Sequence, residues 1–351
     1  SVLISPLYNN AYGDGLFMEE LSASFGDRDA NLLIKMSPPV VTTETIREQG
    51  QKPEIQFRLY DNQTDQNFEE VTYFITIEKD SETLLSNWFF DSKGNLSIQM
   101  QPRDQNQITV YGELDPIMNA YTTRGDAPVV AAGPIFLEGG LYHFIVRVVT
   151  VDFARTILPD DQQPVFEGWL SVGATKDVTL DVNGKLVPLH LISYYDELSN
   201  VTYDKTSNSI NITMPFPYSS ERIDDPDNKV FIHQEVVIPK PSPLSSTGGY
   251  LGYVNGKDVT NALVVDANNA TKDVVHFLLA KPTVKQIVDE YLTNDNNDNN
   301  KNNIASPNPS NNTAIPNDLV GKMTFSLIPT QNGSAPQSGT LVCVPGLELC
   351  Y

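Results

Sequence analysis

Alternation of apolar and polar residues recurs along most of this chain and limits what it can fold into. Every second position is apolar in residues 55–59 and again in residues 73–77. Successive side chains of a β-strand point to opposite faces, so this period predicts strands with one buried and one solvated face. Turn-forming Asp, Gly and Pro residues interrupt the runs at spacings typical of β-sandwiches. We therefore predict an all-β protein.

The length of the chain predicts two sandwich domains. With 351 residues it exceeds one ordinary β-sandwich, whereas two domains of this size can each bury a core. Residues 134–151 resemble the last strong strand pair of an immunoglobulin-like domain, with a glycine and then a tyrosine at the strand entrance, as in a tyrosine corner. We expect an N-terminal extension at residues 1–16 and tandem immunoglobulin-like sandwiches at residues 17–176 and 177–282.

Tight hairpins are expected in the second domain. Asn183-Gly184 lies between alternating arms and is a strong signal for a type I′ turn. The same VNGK tetrapeptide recurs at residues 254–257 and predicts a second turn of this kind. Between them, the segment SINITMPF predicts a strand that directs Asn211 outward and its apolar side chains inward.

Three further segments follow the second domain. Residues 283–292 predict an amphipathic helix that begins with a capping box at Thr283 and Gln286 and docks on the second domain or faces a partner. Residues 293–316 form an Asn-rich linker with too little apolar surface to fold. Residues 317–351 predict a small tethered β module that ends in a hairpin. Cys343 and Cys350 face each other across this hairpin in a disulfide or remain free thiols.

The charge of the chain excludes some partners. The formal net charge is −21 and is dispersed along the sequence, so phosphate backbones and anionic membrane surfaces repel it. We expect no nucleic-acid partner. No run of apolar residues is long enough to predict a membrane span.

Possible glycosylation sites favour an extracytoplasmic location. Most of the Asn-X-Ser/Thr tripeptides fall in segments that also predict turns, and it is this placement, more than their number, that supports glycosylation. The acceptor asparagines are Asn62, Asn95, Asn200, Asn211, Asn269, Asn311 and Asn332.

No catalytic motif is evident. The chain has no nucleophile elbow, phosphate-binding loop, dinucleotide fingerprint or paired-histidine zinc helix. We therefore expect a protein that is not an enzyme.

Metal binding is the chemistry that the histidines permit. His190, His233 and His276 each lie on a predicted strand of the second domain, and Glu235 shares a strand face with His233. These four side chains would bind copper or zinc if their strands converged. The alternative is that His233 and Glu235 pair with each other on their strand face while the other two histidines are hydrogen-bonded separately.

Two loop motifs give weaker indications. A calcium loop at residues 224–228 would use Asp224, Asp225, Asp227 and Asn228, although an acidic turn also explains it. Residues 124–126 read Arg-Gly-Asp, which invites an adhesion interpretation. No other cofactor is expected.

Several stretches between residues 15 and about 280 resemble one family. They include GLFMEELSAS, LLIKMSPPVVTTET, GLYHF, SYYDE, ITMPF, HQEVVIPK, GYVNGK and VVHF. The chain is similar here to uncharacterised secreted proteins of ammonia-oxidising archaea. This resemblance implies an extracytoplasmic β-sandwich protein and supplies no activity. It also implies that a signal peptide precedes the GLFME region, which would make residues 1–13 a signal remnant or a retained extension.

Two functions follow from these features. The first is a structural subunit of a cell-surface filament or coat that associates with identical subunits or other surface proteins. The strand Val2-Leu3-Ile4-Ser5 would be inserted into a neighbour's sheet by donor-strand complementation, or else would add an edge strand to its own domain. The second is an extracytoplasmic metal- or ligand-binding module, or an accessory subunit of a membrane complex, that uses the histidines and the apolar face of the predicted helix.

Overall fold

Strands dominate the protein, as the alternation predicts. The computed structural model describes residues 17–25, 28–116, 118–123, 127–153, 156–216, 231–267, 269–299 and 321–331. The all-β expectation is confirmed. Several predicted features lie outside the described residues: the donor strand Val2–Ser5, Arg124-Gly125-Asp126, the acidic loop at 224–228, Asn311, Asn332, Cys343 and Cys350. The chain divides into two compact units after Val172, slightly before the expected boundary at residue 176.

Within the described residues, the first unit has twelve strands and one short helix. The strands are β1 (Met18–Phe25), β2 (Arg28–Ser37), β3 (Glu54–Asp61), β4 (Val71–Lys79), β5 (Glu82–Asp91), β6 (Asn95–Pro102), β7 (Thr109–Tyr111), β8 (Glu113–Leu114), β9 (Tyr121–Thr122), β10 (Val129–Gly133), β11 (Gly140–Thr150) and β12 (Val165–Val172); the helix is α1 (Thr43–Gln49). They form two six-stranded sheets, ordered β1-β2-β3-β6-β10-β7 and β12-β11-β4-β5-β9-β8.

The first unit has immunoglobulin-like topology. β2, β3 and β6 adjoin in one sheet, and β12, β11, β4 and β5 adjoin in the other, which corresponds to strands A-B-E and G-F-C-C′ of that fold. The two sheets enclose a shared core in which the rings of Phe57 and Phe144 lie 6.1 Å apart. The Tyr142 hydroxyl donates a hydrogen bond of 2.8 Å to the carbonyl of Glu138. This contact confirms the predicted tyrosine corner.

Helix α1 was not predicted from the sequence. Thr42 caps it, because its hydroxyl accepts from the Thr45 amide while the Thr45 hydroxyl reaches back toward the Thr42 backbone. Gly50 ends the helix in the left-handed region, with φ of 64°. The capping residues are both threonines in a stretch rich in β-branched residues, and such residues favour strands, so the sequence does not predict a helix here.

The second unit is also a β-sandwich. Its strands are β13 (Ala174–Val182), β14 (Lys185–Ser193), β15 (Asn200–Asp204), β16 (Ser209–Pro215), β17 (Phe231–Pro239), β18 (Tyr250–Val254), β19 (Lys257–Asp258), β20 (Leu263–Asp266), β21 (Lys272–Ala280) and β22 (Lys322–Pro329). Two five-stranded sheets have the orders β13-β14-β17-β21-β20 and β15-β16-β22-β18-β19. Both predicted Asn-Gly turns are confirmed, since all four of their residues have positive φ, as type I′ turns require.

The predicted separate C-terminal module is wrong for the described part of residues 317–351. β22 is the middle strand of its sheet, where it pairs with β16 on one side and β18 on the other. Met323, Phe325 and Leu327 are buried in the core of the second unit, and the Phe325 ring lies 5.3 Å from Phe277 of the opposite sheet. Alternation predicted the buried face of this strand correctly. It carries no information about which sheet the strand joins.

The second helix, α2 (Lys281–Asn299), is longer than predicted. It begins directly after β21, so Thr283 lies within it and the predicted capping box does not form. Pro282 suits the first turn, where the missing amide hydrogen costs nothing. Helical backbone extends into the predicted linker as far as Asn299. Val284, Ile287 and Val288 are buried, and Glu290 of the helix pairs with Lys257 of β19 in the same unit. The described helices include none that is long and apolar enough to cross a bilayer.

Candidate metal centre

Two strands of the second unit bring His233, Glu235 and His276 together; we call these three residues the histidine–glutamate cluster. On β17 the even-numbered residues, such as Ile232 and Val236, face the core of the sandwich. The odd-numbered His233 and Glu235 therefore face the outside of the sheet. Antiparallel pairing sets His276 of β21 directly opposite Glu235, on the same outer face. Sheet register thus assembles the cluster from one strand that supplies two side chains and a neighbour that supplies the third.

The donor atoms of the cluster are close enough to share one ion. His233 Nε2 lies 3.0 Å from His276 Nδ1. Glu235 Oε1 lies 3.7 Å from the former nitrogen and 4.0 Å from the latter. Three points with these separations lie on a circle of about 2.1 Å radius, which matches zinc–nitrogen and zinc–oxygen bonds of about 2.0–2.2 Å. An ion at the centre of that circle would contact all three atoms without rearrangement of the strands.

Burial keeps the two imidazoles neutral. The side-chain exposures of His233, Glu235 and His276 are 0%, 8% and 15%. Desolvation, with a smaller effect of His276, holds the pKa of His233 well below its usual value. Desolvation also lowers the pKa of His276, to about 4. At neutral pH neither ring is protonated on both nitrogens, so each imidazole keeps one lone pair that an ion can use once the ring adopts the matching tautomer.

The surroundings of the cluster are mainly aromatic and aliphatic. The Tyr194 ring stacks on His233 with 4.8 Å between ring centroids, and the Tyr194 amide donates to the His233 carbonyl. Ile192 lies opposite Glu235 on β14, and Val264 lies opposite His276 on β20. His276 has the most exposed side chain of the three, at 15%, so an ion would enter the cluster past this ring. A dry shell of this kind strengthens the attraction between a carboxylate and a cation.

His190, the fourth predicted ligand, does not join the cluster. It occupies the same outer face but lies opposite Val237. Its Nδ1 is 2.8 Å from Asp177 Oδ1, across the β13–β14 pair. This His–Asp pair lines a shallow groove with Pro188 and Pro239. The prediction that three histidines converge is therefore corrected to two histidines and one carboxylate, because β14 is shifted in register relative to the cluster.

A second histidine of interest, His143, lies on the outer face of the first unit. Its ring stacks on Trp169 with a centroid distance of 4.2 Å. Nδ1 lies 3.6 Å from Glu78 and Nε2 lies 3.2 Å from Glu167. Because the two nitrogens face different carboxylates, these groups diverge from any common point and do not form an ion site.

Sequence reasoning missed a buried polar network in the second unit. Lys240 Nζ lies 2.6 Å from Asp273 Oδ1, and the Tyr250 hydroxyl donates to Asp273 Oδ2 at 2.8 Å. Burial, together with the neighbouring Asp273 carboxylate, raises the pKa of Tyr250. The network joins β21 to β18 of the opposite sheet. We expect the network to stabilise the sandwich, because it sets a cation and a hydroxyl donor against the buried Asp273 carboxylate.

The predicted glycosylation sites differ in exposure. Asn62, Asn95, Asn200 and Asn269 are exposed in turns or at strand starts. Asn211 lies in β16 between two paired strands, and its amide oxygen accepts a hydrogen bond of 2.6 Å from Ser326. The first four therefore offer accessible acceptors, whereas Asn211 is engaged in the sheet.

Comparison with protein-family models, with curated proteins and with solved structures found no match. The resemblance to secreted archaeal proteins stays a prediction.

Proposed function

We propose that this protein is an extracytoplasmic metal-binding module that holds one divalent transition ion, Zn²⁺ or Cu²⁺, in the second unit. The observation that carries the proposal is the convergence of His233 Nε2, His276 Nδ1 and Glu235 Oε1 around one point. Each ligand comes from a strand in the middle of its sheet, so the backbone holds the three atoms in place before an ion arrives.

The donor set favours a transition ion over calcium or magnesium. Imidazole nitrogens suit zinc, copper, iron and nickel, whereas calcium and magnesium prefer oxygen ligands. Three protein ligands leave a fourth position for water or an external ligand. The function of the module is accordingly to hold the ion and offer that position at the His276 side of the site.

Metal analysis of the purified full chain tests this proposal. After loading with Zn²⁺ and exhaustive dialysis, we expect one zinc per chain by mass spectrometry. The His233→Ala variant should lose it. His190→Ala is the matched control, because this histidine lies on the same sheet face outside the cluster and should leave the zinc content unchanged. Wild-type protein that retains no zinc and no copper would overturn the proposal.

A structural role at the cell surface is the second candidate. All four sheets are open and, within the described residues, end in strands that pair on one side only. Such edges accept an added strand from another chain. Residues 2–5 are the proposed donor, in which case head-to-tail insertion would build a filament.

Deletion of residues 1–10 tests the structural role. Negative-stain images of native protein should show filaments or sheets, and the deletion variant should remain monomeric. Assembly that persists in the deletion variant would rule out this donor strand.

Features of the surface support an extracellular location for either role. The strongly acidic chain and the four exposed acceptor asparagines suit a secreted glycoprotein, and we include the Cys343–Cys350 disulfide in the proposal. Glycopeptide mapping of native protein should find glycans at Asn62, Asn95, Asn200 or Asn269. Non-reducing peptide mapping checks the disulfide.

A further inference from the structure

Asp266 lies beside the histidine–glutamate cluster on the edge strand β20. The sheet order β17-β21-β20 places β20 on the side of His276 opposite to His233 and Glu235. Val264 pairs with His276, so Asp266, two residues further on, belongs to the same outer face. Diagonal neighbours of this kind lie within reach of an extended or aromatic side chain. An acidic residue therefore flanks the outer side of the His276 ring.

The ring of His276 has one nitrogen committed to the cluster. Its Nδ1 faces His233 Nε2 at 3.0 Å, which leaves Nε2 for groups on the side away from Glu235. In a neutral imidazole one nitrogen carries hydrogen and the other accepts. Only the tautomer with hydrogen on Nε2 offers an Nδ1 lone pair to an ion or to a donor.

The negative charge of Asp266 favours the protonated form of the His276 ring, as expected for a carboxylate close to an imidazole. It raises the pKa of the imidazole and so opposes the larger effect of burial. Asp266 is itself solvent-exposed, so a change at this position leaves the core packing intact.

We propose that the Asp266 carboxylate accepts a hydrogen bond from Nε2–H of His276 and thereby fixes the tautomer that directs the Nδ1 lone pair at the ion. Asp266 is thus a positioning residue in a carboxylate–histidine–metal arrangement. In the ion-free protein the same tautomer makes His233 the donor and His276 the acceptor of their 3.0 Å contact. The expected effect of Asp266 on ion binding rests on the proposed metal-binding function. The effect of Asp266 on the tautomer of His276 does not depend on that function.

Nitrogen-15 NMR of the metal-free full chain at neutral pH tests the tautomer directly. We expect His276 to carry hydrogen on Nε2 in the wild type and to populate both tautomers in Asp266→Ala. Asp177→Ala is the matched control, since it removes the carboxylate from the other His–Asp pair of this sheet face. It should alter His190 and leave His276 unchanged. Hydrogen on Nδ1 of His276 in the wild type, or an unchanged tautomer in Asp266→Ala, would refute the inference.

Zinc titration supplies the second measurement. Asp266→Ala should bind Zn²⁺ about 10- to 100-fold more weakly than wild type, with Asp177→Ala equal to wild type. Equal affinity in both variants would refute the positioning role. If the wild type binds no zinc, the metal-binding function fails, and the NMR result still decides whether Asp266 sets the tautomer.

Discussion

At the scale of single residues, the buried carboxylate of Asp273 in the second unit has a cationic partner in Lys240. Asp273 is almost completely buried; its Oδ1 lies 2.6 Å from Lys240 Nζ, and its Oδ2 accepts a hydrogen bond from the Tyr250 hydroxyl. Removal of one partner from such a pair leaves an uncompensated charge in a low dielectric. The stability of the sandwich should therefore depend strongly on this one carboxylate.

Substitution of Asp273 tests this dependence. Asp273→Ala should lower the free energy of unfolding by about 3–5 kcal/mol in urea denaturation, because Lys240 and Tyr250 lose their buried partner. Asp289→Ala is the control, since its pair with Lys285 on α2 is long and exposed and should change stability by less than about 0.5 kcal/mol. Similar effects of the two substitutions would contradict the structural role of the network.

The cluster histidines should make the metal-free protein sensitive to mild acid. The pKa of His276 is about 4 in the folded state and about 6.5 in an unfolded chain. Full stability is therefore present above pH 6.5. As the pH falls below that value, the unfolded state takes up protons first, and the free energy of unfolding drops by about 1.4 kcal/mol per pH unit for this histidine.

Urea denaturation at pH 7.5, 6.5 and 5.5 measures this slope before most carboxylates titrate. His276→Gln should show a shallower decline than wild type. His190→Gln should follow the wild type, since His190 lies outside the cluster. A wild-type stability that is flat across this range would show that burial does not control the protonation of His276.

Part of the cluster could be predicted from sequence at this scale. Positions 233 and 235 alternate on one strand, so their shared face follows from local geometry. His276 joins them only because the register of β17 against β21 sets it opposite Glu235. The sequence of one strand alone does not determine its register against another. His190, like His276, is a histidine on a predicted strand, and the sequence does not distinguish the two. The pairing of β13 with β14 sets His190 beside Asp177 instead.

At the scale of elements, β22 is the central strand of its sheet and completes the hydrogen bonding of its two neighbours, β16 and β18. Phe325 fills the core between the sheets. Alternation identified this strand, and the low-complexity segment before it led to the prediction of a separately folded module. The local sequence does not show that β22 pairs with distant strands. It also did not predict α1, because both of its capping residues are threonines.

Truncation of the Phe325 side chain tests the contribution of β22. Phe325→Ala should reduce the stability of the second unit by about 3–5 kcal/mol, since it removes a buried aromatic ring and leaves a cavity. Limited proteolysis should then cut the second unit first. Lys322→Ala, at the exposed start of the same strand, serves as the control and should behave as wild type. Equal protease resistance of the two variants would favour a module that folds separately.

At the scale of the whole molecule, each unit has its own sandwich and core, while the proposed ion binds only the second. Binding to the folded state alone stabilises it by an amount that grows with ligand concentration, about 2.7 kcal/mol at 100 times the dissociation constant. Calorimetry with saturating Zn²⁺ should raise the unfolding temperature of the second unit and leave that of the first unchanged. An equal shift in the Glu235→Gln variant would exclude the cluster as the cause.

The central position of β22 also affects the order of events during synthesis. Asn211 of β16 and Ser326 of β22 are hydrogen-bonded although 115 residues separate them in sequence. Strands β15 and β16 therefore leave the ribosome long before the partner that completes their sheet, at a pace of about 5–20 residues per second. For several seconds the edge of β16 that later pairs with β22 therefore has no partner from its own sheet. This interval is when the nascent chain most needs protection from aggregation.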